Sequence, residues 1–238
     1  MAVKTLTING QMVSSREGET ILEAAQDANI WIPTLCHFHG LADIGACRLC
    51  LVEIKGNPKL QPACVTKVEE GMEVYTDTPQ LQEYRQDIIS LLLAERNHIC
   101  SVCVANNHCE LQNLAMALGV DHVEFDYLSP ACAVDISHPR YGLDHNRCVM
   151  CQRCVRVCDA IEGAHVWDVA GRGVKARVIS GLNQPWGDVK TCTQCGKCVL
   201  VCPTGALFYQ GSSVAEMDRD RARLDYVITA REKREWVE

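Results

Sequence analysis

The sequence predicts an α+β protein built from three small units in series. A hairpin signal followed by a helix cap predicts a mixed domain over residues 1–77, and apolar residues at helical spacing predict a helical unit over residues 78–119. An eleven-residue cysteine pattern occurs twice within residues 144–211, which predicts a third unit with internal pseudo-symmetry. We expect residues 120–143 to form an irregular connection, and residues 212–238 to form a charged tail with a solvated helix.

Three local signals define the first unit. Val3–Ile8 reads as a strand, Asn9-Gly10 is a two-residue hairpin turn, and Gln11–Ser14 supplies the return strand. Thr20 and Glu23 stand three residues apart and form a capping box, which opens a short helix. A hairpin, a helix and then further strands follow the order of a β-grasp domain.

The second unit is predicted to contain two helices. Thr78-Pro79 places proline at the first helical position, and the apolar residues from Leu81 to Leu92 recur at helical spacing. This first helix is expected to end near His98. A second helix is predicted over Glu110–Leu118, where Gly119 closes it.

Cysteine usage sets the composition apart. The 238 residues include 16 cysteines but only three phenylalanines, and aromatic residues total 5%, so disulfides or metal must help to hold the fold. The net charge of −7 argues against a nucleic-acid partner. No stretch approaches the roughly 18 apolar residues of a membrane span. The N-terminus shows no export signal, so we expect a cytoplasmic protein whose clustered thiols stay reduced and bind metal.

The third unit gives the strongest signal. Its two runs have the same C-x2-C-x2-C-x3-C spacing, and proline follows the last cysteine of the second run, which is the pattern of two-cluster ferredoxins. In that pattern the fourth cysteine of each run serves the other cluster. We expect one [4Fe–4S] cluster on Cys148, Cys151, Cys154 and Cys202, and another on Cys192, Cys195, Cys198 and Cys158. Zinc is the alternative, although zinc sites favour two separated C-x2-C pairs.

The first unit carries four cysteines, which are Cys36, Cys47, Cys50 and Cys64. Four thiolates suit a [2Fe–2S] cluster, and the Gly45-Ala46 pair leaves room for backbone N–H groups to approach its sulfides. The spacing is not that of plant-type ferredoxins. From the residues alone, zinc remains an alternative at this site.

The second unit supplies three cysteines, Cys100, Cys103 and Cys109, which is one ligand short of a [4Fe–4S] site. His98 lies two residues before the first of them and is the predicted fourth ligand, with His108 as the rival. Four clusters need sixteen ligands and the grouped cysteines number fifteen, so a single histidine completes the set. Cys132 stands outside every group and is expected to be a small buried apolar residue.

Motifs for a nucleotide or a flavin are absent from the sequence. There is no G-x-G-x-x-G and no P-loop, and no general base stands out beside a nucleophile. We therefore predict no catalytic residues and no flavin or nicotinamide site in this chain. The chain alone is not expected to be an enzyme.

The sequence resembles a known family in its cysteine-bearing segments. Ile32-Pro-Thr-Leu-Cys36 and the segment from Gly45 to Glu53 are similar to the N-terminal [2Fe–2S] domain shared by the large iron–sulfur subunit of respiratory complex I and iron-only hydrogenases. The Cys100–Cys109 segment, followed by Glu-Leu-Gln, resembles their [4Fe–4S] segment with one His and three Cys ligands. The wider group places its histidine four residues before the first cysteine, where this sequence has Arg96. The form with His98 looks like that of the small diaphorase subunit of bidirectional NAD-reducing [NiFe] hydrogenases.

The resemblance implies a function, cofactors and partners. It implies one [2Fe–2S] and three [4Fe–4S] clusters in a non-catalytic electron-transfer subunit of an NAD-linked oxidoreductase. The expected partners are a flavoprotein diaphorase subunit and a [NiFe] hydrogenase small subunit, in a hetero-oligomer. The resemblance does not extend to the long molybdopterin-enzyme-like region of complex I or to the catalytic domain of iron-only hydrogenases, so neither of those roles is expected. The alternatives are the same relay in an NAD-linked formate dehydrogenase, a free ferredoxin-like carrier and a zinc scaffold.

Overall fold

The structure is a computed structural model that describes residues 3–233, so the predicted tail residues 234–238 lie outside the described residues. The described chain divides into two compact units. The first comprises residues 3–37, Asp43–Ile89 and Leu114–Asp121, and the second comprises Phe38–Ala42, Ser90–Asn113 and residues 122–233. Of residues 78–119, which the sequence predicts to be one helical unit, 78–89 and 114–119 lie in the first unit and Ser90–Asn113 lies in the second.

The first unit is built on a five-stranded mixed sheet. Its elements are β1 (Val3–Ile8), β2 (Gln11–Arg16), α1 (Ile21–Asp27), β3 (Leu51–Ile54), β4 (Gln61–Pro62) and β5 (Glu73–Tyr75). The strand order is β2-β1-β5-β3-β4, with β1 antiparallel to β2 and parallel to β5. This topology is that of a β-grasp sheet, and a core that includes Leu6, Ile8, Ile21 and Leu22 packs between the sheet and α1.

The predicted local signals of the first unit are present. Ile8 pairs with Gln11 across the Asn9-Gly10 turn, so the hairpin forms in the expected register. The backbone N–H of Glu23 donates to the Thr20 hydroxyl at 3.2 Å, and the Glu23 carboxylate accepts from the Thr20 N–H at 2.6 Å, which completes the capping box.

The helix α2 (Pro79–Glu95) begins with proline as predicted, but it ends three residues before His98. The next helix, α3 (Glu110–Ala117), ends in a Schellman motif. Gly119 has φ +70°, its N–H bonds to the carbonyl of Met116, and the Val120 N–H reaches the carbonyl of Ala115. Gly119 thus closes this helix as the sequence predicts.

The second unit contains short elements around two small sheets. After Ser90 these are the end of α2, the start of α3, β6 (Val134–Asp135), β7 (Tyr141–Asp144), α4 (Arg153–Arg156), β8 (Trp167–Ala170), β9 (Arg177–Ser180), α5 (Lys197–Val201), β10 (Leu207–Tyr209) and α6 (Ala222–Lys233). The sheets have the orders β10-β7-β6 and β8-β9. The segment 120–143, predicted to be irregular, thus supplies β6 and most of β7, where Tyr141 and Leu143 are buried.

The C-terminal segment differs from the expected solvated tail. It forms α6, but Leu224 and Ile228 on that helix are buried, as is Met217 before it. Arg219 donates to the backbone carbonyls of Val199 at 3.2 Å and His108 at 3.1 Å. The mixed charges of this segment predicted a solvent-exposed helix, but Arg219 bonds to backbone carbonyls of the folded chain instead. No helix within residues 3–233 is long and apolar enough to cross a membrane.

A buried arginine holds α2 to the strand β3 of the first unit. Arg85 is 2% exposed, and its guanidinium donates to the carbonyls of Leu49 and Leu51, both at 3.1 Å. These two carbonyls flank Cys50. A loop carbonyl left without a donor in a buried place costs about 1–3 kcal/mol, so this side chain contributes directly to the shape of the cysteine loop.

We therefore expect Arg85→Leu to destabilise the first unit. Leucine cannot donate to either carbonyl, and a loss of about 2 kcal/mol corresponds to a fall in melting temperature of about 4–8 °C for a chain of this size. Thermal unfolding followed by circular dichroism measures the change. Arg16→Leu is the matched control, because Arg16 is exposed and should shift the midpoint by less than about 2 °C. Equal shifts in the two variants would contradict the assignment.

Candidate metal centres

All sixteen cysteines lie within the described residues and all are free thiols. The first group belongs to the first unit and the remaining groups belong to the second. Most of them are buried, and Cys195 is the one cysteine of the sixteen that is exposed. Sixteen thiols without a disulfide, gathered mostly in the interior, are typical of metal ligation.

The first group forms two thiol pairs. Cys36 and Cys47 hydrogen-bond to each other through their thiols, and Cys50 and Cys64 do the same. The partner thiol and burial raise the pKa of Cys47 and of Cys64. The pKa of Cys50 is lowered, because its sulfur accepts the hydrogen bond from Cys64. The group therefore presents two sulfur pairs instead of four separate thiols.

Backbone N–H groups surround the sulfurs of this first group. Those of Leu49 and Leu35 donate to the Cys47 sulfur. Gly45 and Arg48 have φ values of +59° and +60°, a conformation that turns successive N–H groups toward one side of a loop. A Cβ on Gly45 would meet nothing closer than 3.6 Å, so this glycine is required for its backbone conformation and not for space.

The second group, called here the middle centre, consists of His98, Cys100, Cys103 and Cys109. Cys103 and Cys109 are buried, and each of the three thiols acts electrostatically on another in the set. Cys109 precedes α3, so the N–H groups of Leu111 and Gln112 donate to its sulfur. Burial raises the pKa of Cys109 to about 11, and iron would therefore bind there with release of a proton.

The two candidate histidines of the middle centre differ in burial and in the partners of their ring nitrogens. The Nε2 atom of His98 is buried and has no hydrogen-bond partner, while the ring bonds to the backbone carbonyl of Leu92. Burial and the nearby Arg147 guanidinium lower the pKa of His98 to about 4, which keeps the imidazole neutral and its lone pair available. The His108 side chain is 40% exposed, and its Nδ1 lies 3.9 Å from the Asp218 carboxylate.

The second unit contains two small cavities that the eight cysteines of the repeated runs line in the crossed arrangement. One, called here the Cys148 centre, is lined by Cys148, Cys151, Cys154 and Cys202. The other, the Cys192 centre, is lined by Cys192, Cys195, Cys198 and Cys158. Each run thus places its fourth cysteine in the other cavity, while ligation of a cluster by these cysteines stays a prediction.

The repeated sequence is also a repeated backbone. Met150 and Gln152 in the first run, and Gln194 and Gly196 in the second, occupy equivalent positions and all have φ between +51° and +73°. A left-handed conformation at a non-glycine residue is uncommon and costs about 1–3 kcal/mol, so it persists only where the surroundings demand it. The third cysteine of each run then lies in a short helix, α4 or α5.

Aromatic side chains form one wall of the Cys192 centre. Tyr141 and Trp186 line the cavity, and the Tyr141 hydroxyl donates to the carbonyl of Gln194 at 2.9 Å. The Trp167 indole bonds to the Cys198 sulfur, and the N–H of Val166 donates to the Cys158 sulfur at 3.4 Å. Hydrogen bonds of this kind to cluster sulfurs adjust reduction potential.

The donor sets fit iron–sulfur clusters. Four thiols line each of the two cavities of the second unit, and cysteine thiolates are the usual ligands of [4Fe–4S] clusters. Among the described residues, no group of three or more His, Cys, Asp or Glu side chains is already close enough to hold a single metal ion.

Cys132 lies outside these centres and is half-buried, so it is more accessible than the buried apolar residue expected. The Arg96 guanidinium lies 3.5 Å from its sulfur. Both residues line an open groove of about 850 Å³, which shares Leu143 and Val178 with the Cys148 centre. No sequence pattern indicated this groove, because its walls come from segments far apart along the chain.

Two buried charged groups were also missed from the sequence. Arg85 bonds to the first cysteine loop, and Glu110 pairs with Arg153, which stands between Cys151 and Cys154. The one signal of this role in the sequence is the position of Glu110, which directly follows Cys109. The ion pair joins residues 43 positions apart, which no local pattern reveals.

Comparison with known families agrees with the three groups of centres. Family models described as a 2Fe-2S iron-sulfur cluster binding domain, an NADH-ubiquinone oxidoreductase-G iron-sulfur binding region, and a ferredoxin-like domain of NADH-quinone oxidoreductase subunit 3 match residues 3–79, 85–124 and 139–208. Iron–sulfur domains of the 2Fe-2S and 4Fe-4S types are therefore present. A subunit of an NADH-quinone oxidoreductase of Rhizobium meliloti is 40% identical over 85% of this chain, but the chain spans only 23% of that relative.

Two similarities extend over most of both proteins. A solved structure of an NAD+-reducing [NiFe]-hydrogenase contains a chain that superposes with a TM-score of 0.84 at 34% identity, over 89% of each chain. The gamma subunit of the NAD-reducing hydrogenase HoxS of Cupriavidus necator is 30% identical over 85% of each chain. The chain therefore belongs to the family of iron–sulfur subunits that includes this HoxS gamma subunit.

Proposed function

We propose that this chain is a non-catalytic relay subunit that passes electrons between an NAD(H)-reacting flavoprotein and a hydrogenase module. The observation that carries the proposal is the gathering of the predicted ligands into separate cysteine-lined sites along one chain. Iron–sulfur clusters bound there would accept and release single electrons. The protein's own contribution is to hold the ligands, exclude water and place N–H groups and charges near the sulfurs.

The proximity of the thiols and one buried histidine nitrogen support the proposed ligand sets. We assign one [2Fe–2S] cluster to the first group, with Cys36 and Cys47 on one iron and Cys50 and Cys64 on the other, because the thiols already approach in those pairs. The three [4Fe–4S] clusters belong to the middle centre, the Cys148 centre and the Cys192 centre. The unpartnered, buried Nε2 atom supports His98 over His108 as the fourth ligand of the middle centre.

The exposure of Cys195 supports a position for the Cys192 centre at one end of the relay. The Cys192 centre has this cysteine at the surface, whereas the cysteines of the Cys148 centre are buried or half-buried. Electron transfer weakens steeply with distance, so a cluster close to the surface is the better contact point for another protein. We propose that a [NiFe] hydrogenase small subunit and a flavoprotein diaphorase subunit bind near the two ends, in a cytoplasmic complex.

A formate dehydrogenase role has weaker support. The putative formate dehydrogenase YrhE of Bacillus subtilis is 34% identical over 75% of this chain, but the chain spans 19% of that protein. The hydrogenase relative instead matches over most of its own length. We therefore favour the hydrogenase partner.

Metal analysis tests the cluster content. We expect about 14 irons per chain, with a nearly equal amount of acid-labile sulfide, after anaerobic purification. Because metal binding contributes folding free energy, removal of the iron should also reduce the folded fraction seen by circular dichroism. Stoichiometric zinc, or fewer than about ten irons after reconstitution, would contradict the proposal.

Replacement of His98 tests the middle centre. His98→Cys should retain the cluster and lower its reduction potential, because a thiolate adds one negative charge relative to a neutral imidazole. Potentiometric titration followed by electron paramagnetic resonance measures the shift. His108→Ala is the control and should leave the signal unchanged. If His108→Ala removes the cluster and His98→Ala does not, the wrong histidine has been assigned.

Electron transfer with a partner tests the relay. The isolated chain should be reduced by dithionite but not by NADH, and a diaphorase flavoprotein should make NADH reduction fast. In the full complex, Cys195→Ser should abolish NADH-linked hydrogen turnover while each end still reacts with artificial dyes. Oxidation of NADH by this chain alone, with no flavin bound, would refute the relay.

A further inference from the structure

A partly buried cluster of charges lies between residues of the middle centre and residues of the Cys148 centre. The Glu110 carboxylate accepts two hydrogen bonds from Arg153, both at 2.8 Å, and one from Arg221 at 2.7 Å. Arg153 is 2% exposed, and Arg221 is half-buried. Two guanidinium groups share one carboxylate, so the cluster carries one excess positive charge.

Glu110 and Arg153 each directly neighbour a cysteine of one centre or the other, and Arg221 donates to the carbonyl of Leu200, two residues before Cys202, at 2.9 Å. Glu110 directly follows Cys109 of the middle centre. Arg153 directly precedes Cys154, and its charge acts on the thiols of Cys151 and Cys202 in the Cys148 centre. The charge cluster therefore borders both centres.

Backbone bonds fix the same residues to the segment around Cys202. The Glu110 N–H donates to the carbonyl of Pro203 at 2.8 Å, and Arg153 donates to the carbonyl of Val201 at 3.2 Å. These two carbonyls belong to the residues on either side of Cys202. The Glu110 carboxylate is held by both arginines and the Glu110 backbone by the Pro203 carbonyl, so the position of this charge is fixed from several sides.

The two centres also approach one another directly at Gly205. A Cβ built on this glycine would lie 2.5 Å from the Cys103 sulfur of the middle centre. Gly205 follows Cys202 by three residues, so the chain that leaves the Cys148 centre runs in contact with a ligand of the middle centre. One charge placed at this junction acts on both centres.

The physical consequence is electrostatic. Reduction adds an electron to a cluster, so a nearby positive charge stabilises the reduced form and raises the potential, whereas a carboxylate lowers it. Arg153 is buried, whereas the Glu110 and Arg221 side chains are 27% and 31% exposed, so water and salt screen part of their effect on the clusters.

We propose that the Glu110–Arg153–Arg221 cluster sets the reduction potentials of the middle centre and the Cys148 centre together. In this role Glu110 and Arg221 do not bind a cluster. They act through their charges, which shift the reduction potentials in opposite directions. The inference rests on the cluster assignment proposed above. If the charge cluster served the fold alone, loss of Glu110 and loss of Arg221 would not shift the reduction potentials in opposite directions.

The test compares opposite charge changes in the reconstituted full chain. Arg221→Gln should lower the potentials of both centres, and Glu110→Gln should raise them. Unit charges about 10 Å apart at an effective dielectric constant of about 20 predict about a tenfold change in the ratio of reduced to oxidised cluster. The double variant restores the net charge and should return both potentials close to the original values. Potentiometric titration with electron paramagnetic resonance measures each centre.

Two controls and the iron content separate the outcomes. Arg221→Lys keeps the charge and should keep both potentials, and Lys55→Gln changes an exposed charge in the first unit and should move neither. If the original chain lacks iron at either centre, the cluster assignment fails. If both clusters are present and the two variants shift in the same direction or not at all, the inference is overturned. Loss of a cluster in Arg221→Gln would also overturn it, because the pair would then serve folding.

Discussion

The exchange of Cys158 and Cys202 between the two cysteine runs is the constraint on which the second unit depends. Each cavity is complete only when a cysteine from the other run reaches it, so neither run can form its site alone. The left-handed positions, the short helices α4 and α5 and the strands β7 and β10 all serve to bring the runs face to face. We therefore expect metal ligation and chain folding to be one process in this unit.

Buried arginines are the second organising feature, and each one is bonded to the chain at several points. Arg85 donates to two carbonyls of a cysteine loop, and Arg153 combines a bidentate carboxylate with a carbonyl. Burying a charge is costly unless it is paired, so these contacts are required for the arginines to be there at all. Their charges then lie close to groups that carry several thiolates, and the fold gains both rigidity and electrostatic balance.

Local signals predicted local structure well, and they failed where distant segments meet. The hairpin at Asn9-Gly10, the Thr20 cap and the Gly119 stop depend only on neighbouring residues, and all three form. The spacing of the cysteines predicted which four thiols line each cavity, because the two runs repeat the same sequence pattern and the same local backbone. The strand β7 was missed because its short buried stretch lies between prolines and polar residues, and its partner β10 is more than 60 residues away. The role of Arg219 was concealed by a segment that reads as solvated.

The close approach at Gly205 has a consequence for how the protein is assembled. Cys148, Cys151 and Cys154 leave the ribosome well before Cys202, Gly205 and Arg221, and the contacts with Cys103 and Glu110 form only after those later residues appear. The Cys148 centre and its contact with the middle centre therefore cannot be completed until the segment from Cys202 to Arg221 has been synthesised.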